Sequence, residues 1–152
     1  MSGWLLNEVV IVMKQEDKEL LLKDLCARLP YGVKCKYYDC CEGAYDEGTI
    51  RGFERHEYME IDGVCIHVEE VKPYLFPLSS MTEEQKEEYN QSRLKDLRML
   101  NSVLMERISD ENNFDRLVVA HNEIDWLNKN HFDYRGLIEK GLAIDATGLN
   151  IY

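Results

Sequence analysis

Cysteine and histidine are the residues in this sequence that are best suited to bind a metal or attack a substrate. Thiolate sulfur and imidazole nitrogen both suit zinc, and one conceivable ligand set is Cys35, Cys40, Cys65 and His67. Cys65 and His67 lie two apart on a predicted strand and share a face, whereas Cys35 lies on the core face of its own strand. The spacing therefore does not support a metal site, and we expect free cysteines in buried or partly exposed positions.

A hydrolase that uses cysteine and histidine needs an activated thiol beside an oriented imidazole. Cys26 lies on the apolar side of a predicted helix and Cys40-Cys41 lies in a predicted turn, so nothing singles out one thiol. His121 and Glu123 can form an acid–base pair, but on a charged helix such residues are more often solvated surface. The P-loop, GxGxxG, HExxH, GxSxG and paired CxxC patterns are absent. We therefore predict no catalytic, cofactor-binding or metal-binding residues, and favour a protein that is not an enzyme.

The segment "DWLNKNHFDYRG" concentrates aromatic and guanidinium side chains within ten residues. This composition is typical of interface hot spots. The same residues can instead seal a junction between two helices, and packing is the preferred interpretation for Trp126 and for Phe132. For Tyr134 and Arg135 the two interpretations are equally favoured. The predicted interaction surface consists of Trp126, His131, Tyr134 and Arg135.

The charge of the chain limits its partners and its compartment. Its 29 acidic and 18 basic residues give a formal net charge of −11. An acidic surface repels phosphate backbones, so nucleic-acid binding is disfavoured, while a basic protein partner or simple solubility fits. Five cysteines without a CxxC pair, and without a secretory signal, indicate free thiols in the cytoplasm. The apolar N-terminus is too short to span a bilayer, and we expect no membrane association.

The first half of the chain changes from helical to strand periodicity. Residues 16–29 place leucines on one face of a short helix, and Pro30 and Gly32 then end it. From residue 32 the alternation has period two, with Val33, Cys35 and Tyr37 on the core face. Further along, "EYMEIDGVCIHVEEV" places Asp-Gly between two alternating runs, which predicts a type I′ hairpin. This register pairs Ile61 with Val64, Met59 with Ile66, and Glu57 with Val68.

The stretch "VKPYLFPLSSMTEEQ" is predicted to join the strands to a long helix. Because Pro73 and Pro77 oppose a regular strand, we predict an irregular or single-turn connection over 72–79. Ser80 with Glu83 or Thr82 with Gln85 fits a capping box. The helix is predicted to run to about residue 109, followed by a linker over 109–113 and a second helix over 114–131. A last short helix is expected to begin at Asp133 and end at Gly141, and the remaining tail to be irregular.

These elements predict an α+β protein with an N-terminal helix, a small SH3-like antiparallel β-barrel or curled sheet, and a helical C-terminal half. Residues 13–78 form the helix and β-unit, and 79–152 the helical region. Residues 1–12 are predicted to be an extension preceding a true start at Met13, the alternative being a strand that pairs with a sheet edge.

Three blocks of the chain resemble an uncharacterised family of small proteins from gut anaerobic bacteria and their phages and prophages. The blocks are "KELLLKDLCARLPYGVKC", "VKPYLFPLSSMTEEQ" and "DWLNKNHFDYRGLIEKGLA". The resemblance implies a phage or mobile-element origin and brings no activity, cofactor or catalytic residue. Together with the residues, it favours a non-enzymatic interaction protein, adaptor or regulator. The alternatives are a small enzyme with a nonstandard Cys/His site and a nucleic-acid-associated factor.

Overall fold

A computed structural model describes residues 4–6, 9–104 and 122–152, with side chains over 12–93 and 122–152. Helix α1 spans Gln15–Arg28, α2 spans Glu83–Leu104, and residues 122–129 are helical and are called α3. The strands are β1 Trp4–Leu6, β2 Val9–Ile11, β3 Lys34–Asp39, β4 Ala44–Arg55, β5 Tyr58–Ile61, β6 Val64–His67, β7 Val71–Pro77, β8 Phe132–Asp133 and β9 Ile144–Asp145.

The main sheet has the strand order β6-β5-β4-β3-β7-β8, and β9 also pairs with β7. The pairs from β6 to β7 are antiparallel, whereas β8 and β9 run parallel to β7. The long strand β4 pairs with β3 through its first half and with β5 through its second, with register shifts at 50/52 and 53/55. Such irregularities bend a strand. The α+β class and the N-terminal helix are confirmed. The described sheet is open, and closure into a barrel is not seen.

The predicted hairpin at residues 62–63 is confirmed. Both turn residues have positive φ, +46° and +90°, as a type I′ turn requires. Since side chains alternate along a strand, this register directs one face of both strands to the core. The predicted pairs are all present: Ile61 with Val64, Met59 with Ile66, and Glu57 with Val68 through a 2.7 Å hydrogen bond from the Val68 N–H to the Glu57 carbonyl.

One hydrophobic core lies between α1 and the sheet. Leu21 and Leu25 of α1 are buried against it, and Cys35 lies on the buried face of β3 as predicted. The apolar stripe of α1 packs against the apolar face of the sheet, which is formed by alternate residues of its strands. The fully or nearly fully buried members contributed by the strands are Cys35, Tyr37, Ile50, Met59, Ile61, Ile66, Val71 and Leu75, and Val33 and Val68 are buried directly beside β3 and β6.

The irregular or single-turn connection predicted over 72–79 is wrong for residues 72–77, which belong to strand β7, whereas residues 78–80 do form a single turn. Pro73 lies opposite Cys35 of β3, and Pro77 lies opposite Asp133 of β8. Proline lacks an N–H donor but keeps its carbonyl acceptor, and its fixed φ is compatible with extended backbone. The intervening residues supply the donors, as the Phe76 N–H does to the His131 carbonyl at 2.8 Å.

The start of α2 follows one of the two predicted capping boxes. The Thr82 N–H donates to the Gln85 Oε1 at 2.9 Å, and the Gln85 N–H donates to the Thr82 Oγ1 at 3.2 Å. This reciprocal pair satisfies donors that the first helical turn otherwise leaves free. The predicted helix end near 109, the linker over 109–113 and the start of the second helix lie outside the described residues, as does His121.

The C-terminal segment is not helical beyond residue 129. The short helix predicted at residues 133–141 is a series of turns, although Asp133 accepts hydrogen bonds from the Leu137 and Ile138 N–H groups, both at 2.9 Å. Gly141 ends these turns with φ +72°. The tail predicted to be irregular contains β9, which extends the main sheet. A helical C-terminal half therefore describes only α2 and α3 among the described residues.

Strands β1 and β2 pair with each other, with Trp4 opposite Ile11. They form a separate two-stranded sheet. The alternative considered for this region, a strand that pairs with an edge of the main sheet, is therefore not what the structure shows. Of the helices described, none combines the length and the hydropathy that a membrane span needs.

Candidate functional site

A cleft of about 550 Å³ opens beside the β5–β6 hairpin, and we call it the hairpin cleft. Its lining comes from α1, from β3 and the turn after it, and from the β5–β6 hairpin and the turn that follows the hairpin. Cys65 and His67 lie on the face of β6 opposite the core residue Ile66, and all three reach the cleft. The lining residues are Lys18, Tyr38, Cys40, Tyr58, Cys65, Ile66, His67, Glu69 and Glu70.

His67 is held by hydrogen bonds to both ring nitrogens. Its Nδ1 accepts the Glu69 N–H at 3.3 Å, and its Nε2 lies 3.0 Å from the Glu57 carboxylate. With Nδ1 accepting this N–H, the neutral ring carries its proton on Nε2 and donates it to Glu57. Neither nitrogen is left to take a proton from a thiol, so this histidine is not placed to act as a general base.

Lys18 extends this network across the cleft. Its Nζ lies 2.9 Å from Glu69 and 3.4 Å from Glu57, so one ammonium bridges the two carboxylates. The hydrogen bond to Glu69 is the main cause that raises the pKa of Lys18, against the opposing effect of partial burial. The charged wall of the cleft is thus fixed by α1 on one side and by the hairpin on the other.

The pKa is raised at two thiols in or beside the cleft, Cys65 and Cys41. Partial desolvation and a hydrogen bond with the Glu54 carboxylate raise the pKa of the Cys65 thiol. A hydrogen bond with Cys40, the charge on Cys40 and the nearby Asp39 carboxylate raise the pKa of Cys41. Since the thiolate is the nucleophile, a raised pKa lowers the reactive fraction at neutral pH. The cleft brings cysteine and histidine side chains together, but the surroundings of Cys65 oppose the thiolate that a catalytic cysteine requires.

The zinc ligand set considered from the sequence is divided by the fold. Cys40, Cys65 and His67 line the hairpin cleft, whereas Cys35 is fully buried and burial raises its pKa to about 12. Over the described side chains, a different set has its donor atoms within 4.8 Å of one another, namely Asp39, Cys40 and Cys41. The adjacent thiols in the β3–β4 turn are therefore closer to a ligand geometry than the first set, which is divided among β3, the turn after it and β6.

Two tyrosines give the cleft its apolar character. Tyr58 contacts the His67 ring edge-on at 5.0 Å between centroids and is 43% exposed. Tyr38 packs edge-on against Tyr45 at 5.1 Å, and Tyr45 is itself 45% exposed. Large aromatic side chains with this much exposure are enriched at protein interfaces. Sequence analysis missed these tyrosines, although the outward position of their neighbours Cys65 and His67 was predicted correctly.

Trp126 and His131, predicted to belong to an interaction surface, are each 9% exposed. Trp126 stacks on Phe132 with 5.8 Å between ring centroids and contacts Tyr89 of α2 edge-on. His131 stacks on Tyr152 at 3.7 Å. The outer edge of Trp126 reaches a depression of about 280 Å³. Most of both side chains is therefore engaged within the protein.

Tyr134 and Arg135 are half-buried and join the C-terminal segment to α1. The Tyr134 hydroxyl donates to the Asn128 Oδ1 at 2.8 Å, and its ring lies 5.1 Å from the Arg28 guanidinium carbon. Arg135 Nε lies 3.3 Å from the buried Asp24 carboxylate. The structure thus brings the four predicted residues into one region, where their contacts are internal.

No protein-family model, curated protein or solved structure matches this chain.

Proposed function

We propose that this chain is a non-enzymatic interaction protein, an adaptor or regulator of phage or mobile-element origin, and that a partner protein docks in the hairpin cleft. The observation that carries the proposal is the exposed aromatic wall of this cleft, in which Tyr58 stands beside a fixed ionic network. The resemblance in three sequence blocks supports the origin, and the free cysteines support a cytoplasmic location.

The partner that fits best is a protein segment carrying lysine or arginine beside an apolar residue. The chain has a net charge of −11, and the carboxylates in and around the cleft outnumber the Lys18 ammonium. Complementary charge speeds encounter and selects partners, while aromatic contacts supply affinity. We place the contact here rather than at Trp126 and His131, whose rings are already packed.

A small enzyme is the alternative favoured by one observation, the meeting of Cys40, Cys65 and His67 in a single cleft. The engaged ring nitrogens of His67 and the raised pKa of the Cys65 thiol weigh against it. A catalytic thiol should react with a thiol-specific probe faster than Cys26, an exposed thiol on α1. If Cys65 is labelled no faster than Cys26, Cys65 is not an activated thiol and the enzyme alternative fails. A nucleic-acid-associated factor is less well supported, because it needs a contiguous basic face.

The test is selection from a displayed library of random peptides by the purified full-length chain, followed by measurement of affinity for the enriched peptides. We expect peptides with basic residues flanking an apolar one. Tyr58→Ala should weaken their binding by about tenfold, because a central aromatic contact is lost. Higher salt should weaken it further, because surface charge pairs are screened.

Leu149→Ala is the matched control, since Leu149 is 50% exposed and does not line the cleft. It should bind the selected peptides as the unchanged chain does. Failure to enrich any peptide family, or equal loss of binding in both variants, would show that the hairpin cleft is not the docking surface.

A further inference from the structure

The turn between β3 and β4 has a fixed backbone and two adjacent thiols. Strand pairing continues to Asp39 opposite Ala44, leaving the four residues 40–43, "CCEG", as the turn. The Gly43 N–H donates to the Asp39 carbonyl at 2.7 Å, with φ +66° at Gly43. The Cys41 N–H donates to the Asp39 Oδ1 at 2.8 Å. These bonds hold the Asp39 carboxylate beside the thiols of Cys40 and Cys41.

The three side chains already lie near the separation that a tetrahedral zinc ion needs. One donor atom from each of Asp39, Cys40 and Cys41 lies within 4.8 Å of the other two. Zinc–sulfur bonds of about 2.3 Å imply ligand atoms about 3.8 Å apart in a tetrahedron. The atoms therefore need to approach one another by about 1 Å at most. Both thiols are exposed, so side-chain rotation can supply this movement without disturbing the core.

The charge around the turn favours a divalent cation. Residues 39–48 include four carboxylates and neither lysine nor arginine; the four are Asp39, Glu42, Asp46 and Glu47. Lys36 is the basic residue nearest to the turn along the hairpin sequence, and its ammonium lies over the Tyr45 ring at 5.4 Å from the centroid. Two sulfurs and one carboxylate oxygen form a donor set that suits zinc better than magnesium or calcium, which prefer oxygen alone.

We propose that the β3–β4 turn is a zinc site in which Asp39, Cys40 and Cys41 each supply one ligand, with the fourth position open to water. Each thiol gives its proton to solvent as its sulfur binds the metal. The ligand set differs from the one considered in the sequence, since it shares only Cys40 with it and contains none of Cys35, Cys65 and His67. Because Cys40 also lines the hairpin cleft, the ion would lie at the rim of that cleft. The site does not depend on the proposed partner.

The test is titration of the reduced full-length chain with zinc in competition with a chromogenic chelator, and with cobalt as a spectroscopic probe. We expect one metal per chain and thiolate-to-cobalt charge-transfer absorption. Cys40→Ser and Cys41→Ser should each weaken zinc binding at least about tenfold, and Asp39→Asn by a smaller factor. Asparagine can still accept the Cys41 N–H, so this variant should keep the turn, as circular dichroism and thermal unfolding can verify.

Cys26→Ser and Cys65→Ser are matched controls, because both thiols are exposed and neither belongs to the turn. Both should bind zinc as the unchanged chain does. Any of three results would overturn the proposal: no zinc retained against the chelator, equal loss in the Cys26→Ser control, or half an equivalent of zinc per chain accompanied by dimer formation.

Discussion

At the residue scale, the folded protein disfavours the protonated form of the His131 imidazole. Its ring is stacked on Tyr152 at 3.7 Å, and its backbone has φ +62°. Burial, together with the nearby charges of Arg28 and Lys34, lowers the pKa of His131 from its ordinary value of 6.5 to about 4. The folded protein therefore keeps this ring neutral at pH values where the unfolded chain protonates it.

This difference predicts a loss of stability in acid. Between pH 6.5 and pH 4 the unfolded state binds a proton that the folded state does not, so the free energy of unfolding falls as the pH falls. We expect about 1–2 kcal/mol of the loss between pH 7 and pH 5 to come from His131. Urea unfolding of His131→Asn, which tolerates positive φ, should show a pH dependence smaller by that amount.

His56→Asn is the control for this measurement, because His56 is exposed on the turn between β4 and β5. Its pH dependence should match that of the unchanged chain. If His131→Asn retains the full acid-induced loss, the stabilising effect of a neutral ring at this position is refuted.

At the scale of elements, features encoded over a few neighbouring residues could be predicted. The Asp62-Gly63 turn and the alternation around it set the hairpin register, and the Thr82–Gln85 spacing set the start of α2. Strand β7 could not be predicted, because its proline content opposes a strand locally. Its extended form depends on β3 on one side and on β8 and β9 on the other, which come from distant parts of the chain.

The close approach of β4 to the hairpin gives a prediction for this pair of elements. A Cβ at Gly48 would lie 2.6 Å from the Ile61 Cγ2, and Ile61 is fully buried, so the side chain has little room to move. Gly48→Ala should therefore destabilise the protein by about 1–3 kcal/mol through overpacking. Urea unfolding measures the change.

Gly52→Ala, in the same strand, is the matched control. A Cβ there would meet its nearest atom, the Glu60 carboxylate, at 3.9 Å, which is ordinary contact. This substitution should change the free energy of unfolding by less than about 0.5 kcal/mol. Equal effects of the two substitutions would mean that β4 and β5 are not in such close contact.

At the scale of the whole molecule, the hairpin cleft and the region of residues 126–135 both depend on contacts between residues that are distant in the sequence. At the hairpin cleft, Lys18 of α1 forms ion pairs with Glu57 and Glu69 near the hairpin. No local sequence pattern predicts these pairs. The sequence correctly placed Cys65 and His67 on the outward face of the hairpin. The concentration of aromatic and guanidinium side chains in residues 126–135 is visible in the sequence. Their burial, however, depends on contacts with α1, α2 and Tyr152.

The C-terminal segment is attached to α1 by a buried ionic cluster. Arg28 and Asp24 are both fully buried, with the Arg28 Nε 2.7 Å from the Asp24 carboxylate. Arg28 also donates to the Phe132 carbonyl at 2.6 Å, and Arg135 lies 3.3 Å from the same carboxylate. One buried carboxylate thus separates two guanidinium groups that would otherwise repel each other.

Asp24→Asn should therefore cost about 3–5 kcal/mol, because it leaves the buried Arg28 charge without a counter-ion. The matched substitution Asp17→Asn removes a second contact between α1 and the C-terminal segment, the 3.5 Å ion pair with Lys140, whose side chain is 51% exposed. It should cost less than about 1 kcal/mol, since solvent screens that pair. Urea unfolding gives both energies, and hydrogen exchange over residues 132–146 should rise in Asp24→Asn alone. Similar costs for the two variants would mean that surface contacts, and not the buried cluster, attach the C-terminal segment to α1.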